Sequence, residues 1–236
     1  MQRHLIFDLP VRVFHALLAT GFTAAAILAL ALGEHHRLFP YHALIGLMLA
    51  GLVLLRLLWA FVGTRHARLG SFLHTPGALL KYLIAALTGR GERHAAHNPA
   101  SAYAALAMFA LILGLAVTGI MMARGNDAVE ELHEIMVYTF IAVTAAHLLG
   151  LALHTVRHGE PICLSMLDGR KQTDDPSAAI PSARPLAALA LILITGAATL
   201  ALARAYDPTA QTLHLPGLTT PLQIGDPDHH NHHDRH

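Results

Sequence analysis

The sequence predicts an all-α integral membrane protein, a four-helix bundle followed by a fifth C-terminal transmembrane helix. Three observations lead there. Apolar residues make up 54% of the 236 positions and charged residues only 13%, against the roughly one quarter charged of a soluble domain. Five stretches approach the ~20 apolar residues that a bilayer core requires. Finally, 19 histidines outnumber the 16 lysines and arginines together, and several of them fall inside those stretches.

The first stretch, residues 13–33, carries no charge and is too long for a signal-peptide core. "LALGEHH" beyond it is a poor small-residue cleavage site, so the segment reads as retained. The second, 41–63, is interrupted only by Arg56. The third, 100–123, follows "HNP", where Pro99 suits a first helical turn. The fourth and fifth span 135–154 and 185–203. Between the second and third lies a polar segment, 64–97, whose "PGALLKYLIAAL" is amphipathic and fits an interfacial helix better than a sixth span. Residues 1–172 thus form one membrane domain, 173–184 a cytoplasmic linker, 185–203 the fifth helix and 204–236 a periplasmic histidine-rich tail.

Orientation follows from the basic residues. Arg3 and Arg12 precede the first span. Arg65, Arg68, Lys81, Arg90 and Arg93 separate the second from the third, and Arg157, Arg170, Lys171 and Arg184 separate the fourth from the fifth. The other connections hold Arg37 alone, and Arg124 among four acids. The N-terminus is therefore expected in the cytoplasm and the C-terminus in the periplasm. The net charge of +1 supplies no basic field for nucleic acid. One cysteine, Cys163, excludes an internal disulfide, a cysteine-held iron–sulfur cluster and c-type haem attachment.

An ionisable side chain within a span is costly and is read as functional by default. His15, His42, His133 and His147 stand out. His133 and His147 are 14 residues apart, about 40° short of four full turns, so they share one helical face about 21 Å apart along the axis. Such a helix presents one axial ligand to each of two stacked haems. The topology pairs His15 with His147 at the cytoplasmic side and His42 with His133 at the outer side. Two imidazoles fill both axial positions of an iron and leave none for oxygen activation, which points to electron transfer. His154, seven residues beyond His147 on nearly the same face, is a rival ligand; it and His158 lie nearer the basic interface.

"DLPVRVFHALLATGF", "YHALIGLMLAGLVLLRLLWAFVG", "HTPGALLKYL", "HNPASAYAALAMF" and "ELHEIMVYTFIAVTAAHLLGLALHTVRHGE" resemble the bacterial cytochrome b561 superfamily, in particular the branch akin to the cytochrome b subunit of nickel–iron hydrogenases. The resemblance covers roughly residues 5–172. It implies a four-helix bundle in the bacterial inner membrane with two haems b, held by His15 with His147 and by His42 with His133. It also implies electron exchange between a quinone pool and a periplasmic cytochrome c, a hydrogenase or a dehydrogenase. Such a chain is an electron-transfer subunit rather than a stand-alone oxidoreductase, while superoxide:quinone oxidoreductase activity, found in some relatives, stays open. Ala16 departs from the aromatic residue that commonly follows the first histidine, and residues 185–236 lie outside the family core.

Arg12, Arg37 and Arg124 stand at span ends, where a guanidinium suits a haem propionate or a lipid phosphate. Arg56 and Lys81 are cations on the side expected for a quinone site. Gly114, Ala116, Thr118 and Gly119 make the third span small-sided, as close helix packing requires. The tail "GDPDHHNHHDRH" has ligand types for a loosely bound divalent metal at His229, His230, His232 and His233, and equally the composition of a solvated terminus. A metal transporter or sensor is the competing reading. Against it, transporters gather ligands near the midplane, whereas these intramembrane histidines divide between the two faces.

Overall fold

The computed structural model describes residues 2–88, 97–173 and 175–225. Five helices are long and apolar enough to cross a membrane, and the chain is a multi-pass membrane protein. Helix starts repeat one local device, a short oxygen-bearing side chain followed by proline. Asp8 caps α1 (Leu9–Ala26), Thr75 caps α3 (Pro76–Leu87) and Asn98 caps α4 (Pro99–Met122), each accepting a backbone N–H three residues on. Proline stands within the first two positions of all three and of α2 (Pro40–Val62). There it sacrifices no intrahelical bond and presets φ. α5 (Glu130–His158) has two glutamates in its first turn and Arg157 and His158 in its last, the favourable order for the helix dipole. It stops at left-handed Gly159.

α1 packs on α2, α2 on α4 and α4 on α5, while α7 (Pro185–Ala205) lies against α1 and α2. Small residues set the closest approaches. A Cβ on Gly21 of α1 would sit 2.7 Å from Leu49 Cδ2 on α2, and one on Gly114 of α4 would overlap Met136 on α5. Without a hydrophobic force between helices in lipid, such close contact holds them together. The core of Phe14, Leu49, Leu52, Val53, Ile112 and Phe140 is buried, whereas Phe61, Val62, Leu149 and Leu186 point outward and exposed, as lipid-facing residues do. α3 is amphipathic, too short to span and tied to α4 through Tyr103 Oη–H donating to the His74 carbonyl at 2.9 Å.

Both ends of the bundle are closed by structure that helical periodicity does not reveal. At the N-terminal side, β1 (Gln2–Leu5) pairs antiparallel with β2 (Arg170–Thr173), which follows the short α6 (Ser165–Asp168). Arg3 bonds Asp168 at 2.7 Å, and Ile180 N–H donates to the Leu5 carbonyl. Residues 175–184, within the stretch read above as a linker, are thus anchored, with Ala178 and Ile180 buried. At the opposite side, β3 (Tyr206–Asp207), β4 (Thr212–Leu213) and β5 (Leu222–Gln223) form an antiparallel sheet. Its Leu213, Leu222 and Ile224 pack on Ala43, Leu44 and Leu47 of α2 and on Ile120 of α4. The first part of the expected tail is therefore a folded cap; its histidine-rich end, with His229, His230, His232 and His233, lies outside the described residues.

Candidate functional site

The four intramembrane histidines fall into two pairs, His15 of α1 with His147 of α5 and His42 of α2 with His133 of α5. His147 lies close enough to His15 for their charges to interact, and His133 likewise to His42. The side chains of His15 and His147 make no hydrogen bond among the described residues, and His15 is exposed.

The rings of the second pair are held. Nδ1 of His42 lies 2.9 Å from the Ala25 carbonyl; a carbonyl only accepts, so Nδ1 carries the proton. Ala25 sits beside the point where α1 widens into a π-helical stretch, Ile27–Leu32, and the switch from i→i+4 to i→i+5 bonding is a frequent accompaniment of functional sites. Phe39 stacks nearly parallel on the His42 ring, with centroids 5.6 Å apart. Nδ1 of His133 lies 2.8 Å from Thr118 Oγ1, and that hydroxyl donates its one hydrogen to the Gly114 carbonyl at 3.0 Å. Its lone pair therefore accepts from Nδ1–H. In both residues Nε2 keeps its lone pair, the arrangement by which a second partner fixes the tautomer and orientation of a metal-binding imidazole. The donor set fits a bis-imidazole iron. Gly119 faces the His133 ring, where a Cβ would make ordinary contact with Cε1 at 3.8 Å.

Between the two pairs in sequence spacing, Phe22 of α1 meets Phe140 of α5, with ring centroids 4.3 Å apart and planes 34° apart. Spacing foreshadows the contact, since Phe22 is seven residues from His15 and Phe140 seven from both His133 and His147.

The N-terminal-side cap is dense in buried polar groups. Asp8, fully buried, accepts from Val11 N–H at 3.0 Å, Trp59 Nε1–H at 3.1 Å and Thr64 Oγ1–H at 2.6 Å. Beside it Arg56 is buried near the faces of Phe14 and Phe72, while Lys81 is exposed on α3. Buried Lys171 is pushed down to about 8 by desolvation, with Glu160 pulling the other way. His154 Nε2 lies 3.7 Å from Glu160 Oε2 and its ring 4.5 Å from that of His158, which ties His154 to this cap. Arg12 Nε is buried without a hydrogen-bond partner, whereas Arg37 and Arg124 are exposed on the opposite side. Sequence reasoning passed over Asp8, although an acid two positions before proline at a span start is a capping signal. It read Thr118 only as a small residue, and nothing local distinguishes it.

Membrane-length helices that carry histidines within their spans define the class, an integral membrane protein with donors suited to haem iron. The sequence pattern of prokaryotic cytochrome b561 matches residues 6–169, and the chain belongs to that family. It is accordingly a membrane cytochrome that binds haem b and transfers electrons. Comparison with curated proteins and with solved structures finds no match.

Proposed function

We propose that the chain carries two haems b and passes electrons across the bacterial inner membrane between the quinone pool and a periplasmic redox partner such as a cytochrome c or a hydrogenase. One observation carries the dihaem reading: two imidazole pairs that share α5, with both rings of the His42–His133 pair oriented through Nδ1 and left free at Nε2. His15 and His147 would hold one haem, His42 and His133 the other. Haem b supplies a reversible one-electron iron couple.

The protein's contribution is position and environment. α5 provides one ligand to each site, so its rigidity sets the distance between them. Two imidazoles at each site would leave no open position on the iron for oxygen. Arg12, with Nε unpartnered, would meet a propionate at the His15–His147 site; Arg37 and Arg124 would do so, or meet headgroups, at the other. The quinone and periplasmic partners rest on the family resemblance, and the orientation rests on the distribution of lysine and arginine.

A reduced-minus-oxidised spectrum of the purified protein, with haem counted per chain, tests the reading. Two b-type haems are expected in the wild type and one in either His147→Ala or His133→Ala. Retention of both haems in either variant would refute the pairing. A reporter fused after His236 is expected to behave as periplasmic; cytoplasmic behaviour would invert the orientation.

A further inference from the structure

We infer that the Phe22 and Phe140 rings, tilted against each other in direct contact, form the contact through which electrons pass between the two haem sites. The inference rests on the dihaem reading above and adds a role for two residues that bind no metal.

Helical geometry places the pair. Seven residues turn a helix through about 700°, only ~20° short of two turns, and advance it about 10 Å. Phe22 therefore lies on the His15 face of α1, and Phe140 on the face of α5 that carries His133 and His147. Because α1 and α5 run in opposite directions, a step from His15 to Phe22 and a step back from His147 to Phe140 climb the same distance. The rings consequently meet at 4.3 Å, at the depth midway between the two imidazole pairs.

The environment suits transfer. Phe140 is 2% exposed, and it packs with the apolar core of Phe14, Leu49, Leu52 and Ile112, so its side of the contact is shielded from water. α1 and α5 are otherwise not closely packed on each other. Truncating either ring would remove this contact between α1 and α5. Electron tunnelling weakens much more steeply through a void than through atoms in van der Waals contact, and a polarisable π-system is an effective filler. In each transfer one ferrous iron is oxidised to ferric while the other ferric iron is reduced to ferrous. No bond forms or breaks, and neither phenylalanine changes oxidation state.

The test uses the full-length protein with haem bound. One electron is injected by a laser flash from a water-soluble ruthenium complex, and its redistribution between the two haem bands is followed alongside haem count, spectrum and midpoint potentials. Phe22→Leu keeps an apolar side chain without a ring; Phe22→Tyr keeps the ring. The expected result is two haems and unchanged potentials in both variants. Redistribution should be slowed about tenfold in Phe22→Leu, equivalent to ~1.4 kcal/mol of barrier, and should be near wild type in Phe22→Tyr. Phe140→Leu should match Phe22→Leu. Wild-type speed in the leucine variants, or equal slowing by tyrosine, would overturn the inference. Loss of a haem from the leucine variants would also overturn it, since the contact would then be a scaffold for cofactor binding. Fewer than two haems in the wild type would refute the dihaem reading itself, and the inference with it.

Discussion

Thr118 Oγ1 of α4 accepts from Nδ1–H of His133 on α5 at 2.8 Å, and the same hydroxyl donates to the Gly114 carbonyl one turn back. This two-bond bridge lets one helix aim an imidazole carried by its neighbour. Thr118→Val preserves shape but removes the acceptor, leaving a ring N–H without a partner. Loss of such an orienting contact typically weakens metal-site affinity by about 10–100-fold. Haem titration of the apoprotein should show that loss at the His42–His133 site alone, with Thr118→Ser close to wild type. Equal affinity in Thr118→Val would show that the bridge does not orient the ring.

Asp8 joins three elements, capping α1 while holding Trp59 of α2 and Thr64 just beyond it. Asp8→Ala removes a helix cap worth ~1 kcal/mol and strands two buried donors, each costing about 1–3 kcal/mol. Thermal unfolding in detergent should reveal a loss of roughly 3 kcal/mol or more. Asp8→Asn retains the capping oxygen but turns an amide towards two donors, so it should recover only the cap's share.

Gly169 has φ +76°, and a Cβ there would lie 2.6 Å from the Phe7 carbonyl oxygen, a backbone atom that cannot yield. Its own carbonyl receives the N–H groups of Ile6 and Phe7. Gly169→Ala should destabilise by about 2 kcal/mol or more and expose residues 2–7 to proteolysis. Gly159, at φ +62° with open space around it, provides the comparison: alanine there should cost only the ~1 kcal/mol of left-handed backbone. Similar losses at both positions would mean that the Phe7 contact contributes nothing.

His97 lies against Phe72, with ring centroids 4.3 Å apart, and near Phe7 at 5.5 Å. Its Nε2 is buried without a partner. Burial and then the nearby Arg56 guanidinium push it down to about 3, although the His66 carbonyl accepting its N–H works the other way. The unfolded chain, near 6.5, binds the extra proton first. Stability from this residue is therefore complete above about pH 6.5 and is lost as pH falls towards 3, by at most ~1.4 kcal/mol per pH unit. Unfolding temperature measured from pH 7 to 5 should decline, and His97→Gln should decline less. A slope unchanged by the substitution would assign the acid sensitivity elsewhere.

The long-range strand pairing explains why some of the fold is invisible in the chain. β1 and β2 pair Gln2 with Thr173 and Leu5 with Arg170, across the whole membrane domain. Each is four residues long, too short for an alternating pattern to stand out. The β3–β5 cap is built of two-residue strands whose apolar residues matter only because the ends of α2 and α4 are there to receive them.

What the sequence by itself determined is whatever lipid imposes one helix at a time. A span must be about 20 apolar residues long, so the five helices are marked by composition, the starts of two of them by Asp8 and Asn98 just before proline, and the unusual residues by being ionisable where ionisation is costly. The 14-residue interval between His133 and His147 is likewise a property of a single helix. Relations between helices were decided only in three dimensions. That Thr118 accepts from His133, that the Ala25 carbonyl receives His42 and that Phe22 meets Phe140 all depend on rotation and depth of one helix against another. Those follow from close packing at Gly21 and Gly114, a sum of many weak contacts that no single stretch of sequence displays.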